Sequence, residues 1–148
     1  MVASRLVKLI EEHSDQLAAG LIERVHNSSR TVAYFKLPPE DLHHGAYEIY
    51  HHLGEWLTTK TETDVEYRFT ELGMLRAQQG IPIADFVWAM IITKENLWHF
   101  LGMQMRLDHI VEVLGELELF QIIDQFFDRA LYYAMVGYAR AERMAKAA

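Results

Sequence analysis

Apolar residues recur at intervals of three and four along most of the chain, which is the spacing of helices with one buried face. A first helix is predicted from about Ser4 to Asn27. Its buried stripe comprises Leu6, Ile10, His13, Leu17 and Leu21. Two prolines followed by two acidic residues, from Pro38 to Asp41, are typical of a helix start and predict a second helix. The stripe of this second helix comprises Leu42, Ala46, Ile49, Leu53 and Trp56.

Two further helices are predicted on either side of a glycine–proline turn. The third helix spans about Asp64 to Gln79, and Gly80 takes the position just after its C-terminus. Its inward residues are Val65, Phe69 and Leu72. The fourth helix runs from about Pro82 to Gln104, with a stripe that comprises Phe86, Val87, Met90, Leu97, Trp98 and Leu101.

The last helix is predicted to begin near Leu107 or Asp108 and to continue to about Lys146, with Gly115 or Gly137 as the place for a bend. It carries two apolar stripes. One comprises Ile110, Leu114, Leu117, Phe120, Phe127, Leu131, Ala134 and Tyr138; the other comprises Ile122, Phe126, Ala130, Tyr133 and Gly137. A helix that is apolar on two sides is either central to its own bundle or shared with a partner subunit, and both interpretations stay open.

Because strand-type alternation and linker composition are both lacking, the sequence predicts one all-α domain over residues 1–148. We expect a bundle of about five helices with a long C-terminal helix.

Charge and composition exclude several classes of function. The net charge of −7 disfavours sequence-independent binding to nucleic acid and to anionic membranes, which both depend on clustered cations. The chain has no cysteine, so disulfides, thiolate metal sites and thiol catalysis are excluded. No stretch approaches the ~18 uninterrupted apolar residues of a membrane span, and the first ten residues lack the apolar core of a signal peptide. We therefore expect a cytoplasmic location.

The histidines are the candidate metal ligands, because four of the eight lie between residues 43 and 52. His44, Glu48 and His51 are spaced by four and three residues, which aligns them on one helix face as possible Zn²⁺ or iron ligands. This face lies opposite the apolar stripe, so we favour a solvated surface and expect no metal. His13 is expected to be a hydrogen-bonded core residue and a candidate pH-responsive group. His99 is a weak candidate for an axial haem ligand, and no haem is expected.

Charged residues also occupy positions where the pattern expects apolar ones. Arg76 continues the third stripe, Lys94 lies within the fourth, and Asp124 interrupts the last. Since an unpaired buried charge is unfavourable, these residues should pair with each other or bind a ligand. One interpretation is a buried network of Arg76 or Lys94 with Asp124 or Asp128. The other is a cavity in which the two cations hold an anionic ligand, with His13 and Tyr133 as further candidates. No catalytic constellation is visible, so we do not expect an enzyme.

Two segments of the chain resemble the RsbRD-type N-terminal sensor domain. The first reads LGxxRAQQGIPI from Leu72 to Ile83, and the second reads FFDRAxYYxxxGY from Phe126 to Tyr138. The Glu-Glu-His opening at residues 11–13 fits the same pattern, as does the helix that carries Trp56. The resemblance therefore covers nearly the whole chain.

This resemblance implies a helical bundle related to the globin arrangement, which in RsbR-type members carries no haem. Such domains are dimeric input modules at the N-terminus of bacterial sensor histidine kinases or stressosome regulators, and they act on an output domain. The resemblance supplies no catalytic residues. Its signature positions, to which it gives a structural role, are Arg76, Gly80, Pro82, Asp128 and Tyr133.

We therefore expect a non-enzymatic sensory input domain. The alternative is a metal- or haem-binding helical protein that uses the histidines. The chain ends at Ala148 without an output domain, so it is either a stand-alone relative or the input part of a longer protein, whose output domain could be a histidine kinase.

Overall fold

A computed structural model describes residues 5–104 and 117–147 of the chain. Within these ranges every regular element is helical and no strand is present, so the predicted all-α class is confirmed. The elements are α1 (Arg5–Glu12), α2 (Ser14–His26), a 3-10 turn (Val32–Lys36), α3 (Pro39–His51), α4 (Leu53–Thr58), α5 (Glu62–Gln78), α6 (Ile83–Gln104) and α7 (Leu117–Ala147). None of these described helices is both long enough and apolar enough to cross a bilayer.

Two of the predicted helices are each interrupted at a histidine. The first divides into α1 and α2 at His13, where the Ser14 hydroxyl bonds back to the Glu11 carbonyl. Such back-bonding competes with the helical ladder and bends helices. The second divides into α3 and α4 at His52. The two interruptions lie close together, because the Glu11 carboxylate accepts a hydrogen bond of 3.0 Å from the backbone N–H of Gly54 at the start of α4.

Local signals fix both ends of α5. Thr61 and Asp64 form a capping box at its start, each side chain accepting from the other residue's backbone N–H. At its end Gly80 adopts a φ of +77°, the left-handed conformation that glycine adopts without strain. The N–H of Ile81 then donates to the Arg76 carbonyl at 3.0 Å. The predicted position of Gly80 just beyond the helix end agrees with this geometry.

The long helix α7 is buried along one broad face instead of two separate ones. Its most buried residues are Leu119, Ile123, Phe126, Phe127, Ala130, Ala134, Gly137 and Tyr138. The two predicted stripes are the two edges of this face, which explains why Phe120 and Leu131 are only half-buried and why Leu117 is exposed. Gly137 lies within the uninterrupted helix. The predicted start near residues 107–108, the bend at Gly115 and the stripe positions Ile110 and Leu114 lie outside the described residues.

The helices α5 and α7 form the most extensive helix pair of the described part. Their backbones approach closely because glycine occupies the contact on both sides. A Cβ placed on Gly73 would clash with backbone atoms of Ala134, and one placed on Gly137 would clash with backbone atoms of Thr70 and Met74. This contact holds α7 against α5, the helix that carries Arg76.

Candidate functional site

A small cavity lies between α2, α3, α5 and α6, with a volume of about 80 Å³. Most of its lining is apolar and buried. These apolar residues include Leu21, Val25, Ala46, Ile49, Phe86, Ala89 and Met90. The polar lining residues are Tyr34, Arg68, Arg76 and Thr93. An apolar space with a few convergent polar groups is the usual form of a small-molecule site.

A wider and more open groove, of about 890 Å³, lies between α2 and α6. Its charged lining residues, Glu23, Arg24 and Glu95, are exposed to solvent. Because this groove lacks a buried charge, the smaller cavity is the stronger candidate site.

Arg76 is the buried charge of the cavity, with only 9% of its surface exposed. Its Nη1 donates to the Oε1 atom of Gln79 at 2.8 Å, and its guanidinium carbon lies 5.9 Å from the centre of the Tyr34 ring. Among the described residues no carboxylate oxygen lies within 4.0 Å of the guanidinium. The predicted pairing of Arg76 with Asp124 or Asp128 is therefore wrong, because both aspartates lie on the exposed side of α7.

Lys94 forms an ion pair with Asp124, at 3.3 Å. This pairing was one of the predicted alternatives, but the predicted burial is wrong, since the two side chains are 32% and 53% exposed. A flexible lysine stem lets the ammonium reach solvent from the edge of an apolar stripe. Lys94 does not line the cavity, so the prediction of two cations, Arg76 and Lys94, around one ligand is also wrong. The second cation of the cavity is the half-buried Arg68.

Tyr34 is the residue of this site that the sequence pattern missed. It lies in the 3-10 turn and is almost fully buried. Burial raises the pKa of its hydroxyl to about 12, a rise that the neighbouring Arg76 guanidinium opposes and the Asp85 carboxylate increases. Asp85 itself accepts a hydrogen bond of 3.3 Å from the backbone N–H of Ala33. The only sequence signal for Tyr34 was a pair of adjacent aromatic residues in a segment without helical periodicity, and the other member of the pair, Phe35, is 60% exposed.

Tyr138 brings α7 into contact with a residue that lines the cavity. Its hydroxyl donates to the Ile81 carbonyl at 2.9 Å, and its ring centre lies 5.5 Å from that of Phe86, a lining residue. Burial raises the pKa of the Tyr138 hydroxyl, Tyr34 adds to the rise and Arg76 opposes it. These influences show that the cavity residues and Tyr138 share one electrostatic neighbourhood.

Tyr133 is half-buried and does not line the cavity, so its prediction as a pocket residue is wrong. Its hydroxyl donates to Oε1 of Glu62 at 2.8 Å, and Nη1 of Arg129 donates to Oε2 of the same carboxylate at 2.9 Å. Hydrogen bonds lower the pKa of Glu62, and the one from Tyr133 has a larger effect than the one from Arg129. This cluster links the start of α5 to the middle of α7.

The histidines do not converge on a site. His13 is half-buried at the interruption between α1 and α2, with Nδ1 2.8 Å from the Leu9 carbonyl oxygen, and it does not line the cavity. His44 and His51 are exposed, whereas Glu48 lies 3.6 Å from His52. Within residues 5–104 and 117–147 no group of three or more histidine, aspartate or glutamate residues is arranged to hold a metal ion.

His99 is exposed at the wider groove, and no described residue that lines the small cavity is a histidine. In the described part of the chain, no buried histidine lines either space.

Comparison with known proteins gives one match. The family model described as the RsbT co-antagonist protein rsbRD N-terminal domain matches residues 15–147. No curated protein and no solved structure matches the chain.

Proposed function

The chain belongs to the family of RsbT co-antagonist protein rsbRD N-terminal domains, and we propose on that basis that it is the sensory input domain of a bacterial regulatory system. In this proposal two copies form a cytoplasmic homodimer through their long helices, and an output domain or partner protein reads the state of the dimer. The bundle has the globin-related arrangement of the family and works without haem or metal. Its role is to bind and to switch, not to catalyse.

The feature that supports this proposal best is the division of α7 into two parts. Its last buried residue is Tyr138, and the nine residues that follow, 139–147, contribute nothing to the core. At 1.5 Å per residue this part extends the helix by about 13 Å. A helix that is anchored in the bundle at one end and free of it at the other can transmit a change in packing to whatever binds the free end.

The exposed side of α7 supports the dimer. Leu117 and Tyr132 are 55% and 64% exposed. They lie on roughly the same side of the helix, because fifteen residues at about 100° each bring the helix back to within about 60° of the same direction. Aromatic residues are enriched in protein interfaces. A second copy that covers this side of α7 would remove them from water.

Sedimentation equilibrium and native mass spectrometry test the dimer. We expect a concentration-dependent equilibrium between 17.2 kDa and twice that mass. The substitution Tyr132→Glu places a charge on the exposed side of α7 and should shift the equilibrium to the monomer. The matched control is Ile83→Glu, which places the same charge on an apolar position at the start of α6 that is 50% exposed, against 64% for Tyr132, and should leave the dimer unchanged. A protein that stays monomeric at high micromolar concentration contradicts the proposal.

A further inference from the structure

We propose that the cavity beside Arg76 binds a small aliphatic monocarboxylate of two to four carbon atoms. As an identification of the signal this inference rests on the proposed function, although binding itself is measurable whether or not the protein is a dimer.

Arg76 is a buried cation that needs a counter-charge. A guanidinium has five N–H donors and never loses its proton, so burying it demands acceptors. The described residues around it supply only neutral groups, the Gln79 amide oxygen and the Tyr34 hydroxyl. The carboxylate of Asp85 acts on the Tyr34 and Tyr138 hydroxyls and is engaged by the backbone N–H of Ala33. A ligand carboxylate would supply the missing counter-charge and match the fork of the guanidinium.

The size of the cavity limits the ligand to a small molecule. An engineered apolar cavity of about 150 Å³ holds the six carbon atoms of benzene, so a cavity about half that size encloses roughly three non-hydrogen atoms, the size of a carboxylate group. Acetate, propionate and butyrate extend beyond such a group by one to three carbon atoms, which would lie toward the mouth. A nucleotide, a haem or a long acyl chain does not fit in about 80 Å³.

The lining of the cavity indicates the chemistry of the rest of the ligand. Beyond Arg76 and Tyr34 the walls are mainly aliphatic and aromatic, with Val25, Phe86 and Met90 among them. Such walls favour a ligand whose remaining atoms are apolar over one with a second charge or several hydroxyl groups. A single carboxylate on a short hydrocarbon meets both demands.

The mouth of the cavity is the route by which a ligand would enter. The lining residues that are half-exposed, Ile22, Leu42, Gly45, Arg68 and Leu72, belong to α2, α3 and α5, which places the opening on that side. Arg68 puts a positive charge at this opening, which favours the approach of an anion. A Cβ placed on Gly45 meets no atom within 4 Å, so this helix position borders open space.

Isothermal titration calorimetry of the purified 148-residue chain with sodium propionate and sodium butyrate tests the inference. We expect saturable one-to-one binding of these anions. The neutral analogue propionamide, of the same shape, should not bind, and octanoate should bind no tighter than butyrate, because its further carbon atoms lie outside the walls in water. Absence of saturable carboxylate binding up to about 20 mM, a dissociation constant beyond any useful affinity, overturns the inference, and so does equal binding of propionamide.

Three variants locate the binding. Arg76→Met should weaken propionate binding roughly ten- to hundredfold, the value of a charged hydrogen-bonded pair. Gly45→Leu fills the mouth while it leaves Arg76 in place, so it should abolish binding in a protein that still folds. Arg68→Met, which removes a charge of the same kind from the half-exposed rim, should weaken binding by less than about threefold. Unchanged affinity in both Arg76→Met and Gly45→Leu would place the ligand elsewhere and overturn the inference.

The two proposals fail separately. A dimer that binds no carboxylate refutes the ligand and leaves the input domain standing. A monomer that binds propionate through Arg76 refutes the dimeric input domain and leaves the site standing.

Discussion

The contact between α5 and α7 makes Gly73→Ala a severe test of the fold. A Cβ on Gly73 would lie closer than 3.0 Å to three atoms of Ala134, namely its carbonyl oxygen, carbonyl carbon and Cα. All three are backbone atoms, so no side-chain rotation relieves the contact. The two helices must separate, and the neighbouring ring pair of Phe69 and Phe126, with centres 5.7 Å apart, is loosened with them.

The expected magnitude follows from two opposing effects. Replacing glycine by alanine inside a helix stabilises it by about 1 kcal/mol when nothing else changes. Forcing an extra methyl group into a packed contact lowers the free energy of unfolding by roughly 1–3 kcal/mol, and by more where only backbone can yield. At Gly73 only backbone can yield, so the clash should be at the upper end of this range, about 3 kcal/mol, and the net loss about 2 kcal/mol. For a domain of this size that corresponds to a fall in Tm of about 4–8 °C.

Thermal and urea unfolding followed by circular dichroism give both quantities. Gly45→Ala is the matched control, because it also lies inside a helix but its Cβ meets nothing within 4 Å. This control should raise the free energy of unfolding by up to about 1 kcal/mol. Gly137→Ala should behave like Gly73→Ala, since it meets the backbone of α5 from the other side. If Gly73→Ala raises Tm as Gly45→Ala does, α5 and α7 do not approach as described.

Three further predictions follow from individual contacts. Tyr138→Phe removes a buried hydrogen bond and should lower the free energy of unfolding by about 1 kcal/mol; an unchanged urea midpoint would contradict it. A double-mutant cycle on Lys94 and Asp124 should give a coupling of at most about 1 kcal/mol that decreases with salt, and a larger, salt-independent value would mean a buried pair. The backbone and hydroxyl of Thr61 lower the pKa of Asp64. The Asp64 carboxylate therefore stabilises the protein above the pKa that it has in the unfolded chain, and this stabilisation is lost as pH falls through its lower pKa in the folded protein. Asp64→Asn should therefore flatten the acid side of the Tm–pH curve.

The sequence predicted the helices well because their signals are local. A stripe that repeats every three to four residues, a glycine after the last turn of α5 and a proline pair before α3 each act within a few residues. The interruptions at His13 and His52 were missed for the same reason. One non-helical residue hardly disturbs a stripe, and the Glu11 contact that accompanies the interruptions joins residues far apart in sequence.

The partners of the charged residues could not be predicted from local sequence signals. Helical phase placed Arg76 inward, but phase does not tell which residues face it from other helices. For Lys94 and Asp124 the phase itself was weak. The helix α6 is apolar on several sides, and α7 has one face so broad that its edges looked like separate stripes. Tyr34 lies in a 3-10 turn and follows no period at all.

The position of Tyr138 explains how a ligand in the cavity would act on α7. Arg76 lies on α5 and Tyr34 on the 3-10 turn, and both influence the hydroxyl of Tyr138. That hydroxyl is bonded to the Ile81 carbonyl in the turn that joins α5 to α6. A carboxylate that binds Arg76 would change the charge around this turn, and Tyr138 is the last core residue before α7 leaves the bundle. A ligand shifts an equilibrium only through differential contacts with its two states. Tyr138 belongs to α7 and packs against Phe86, which lines the cavity, so such a difference would arise at this residue.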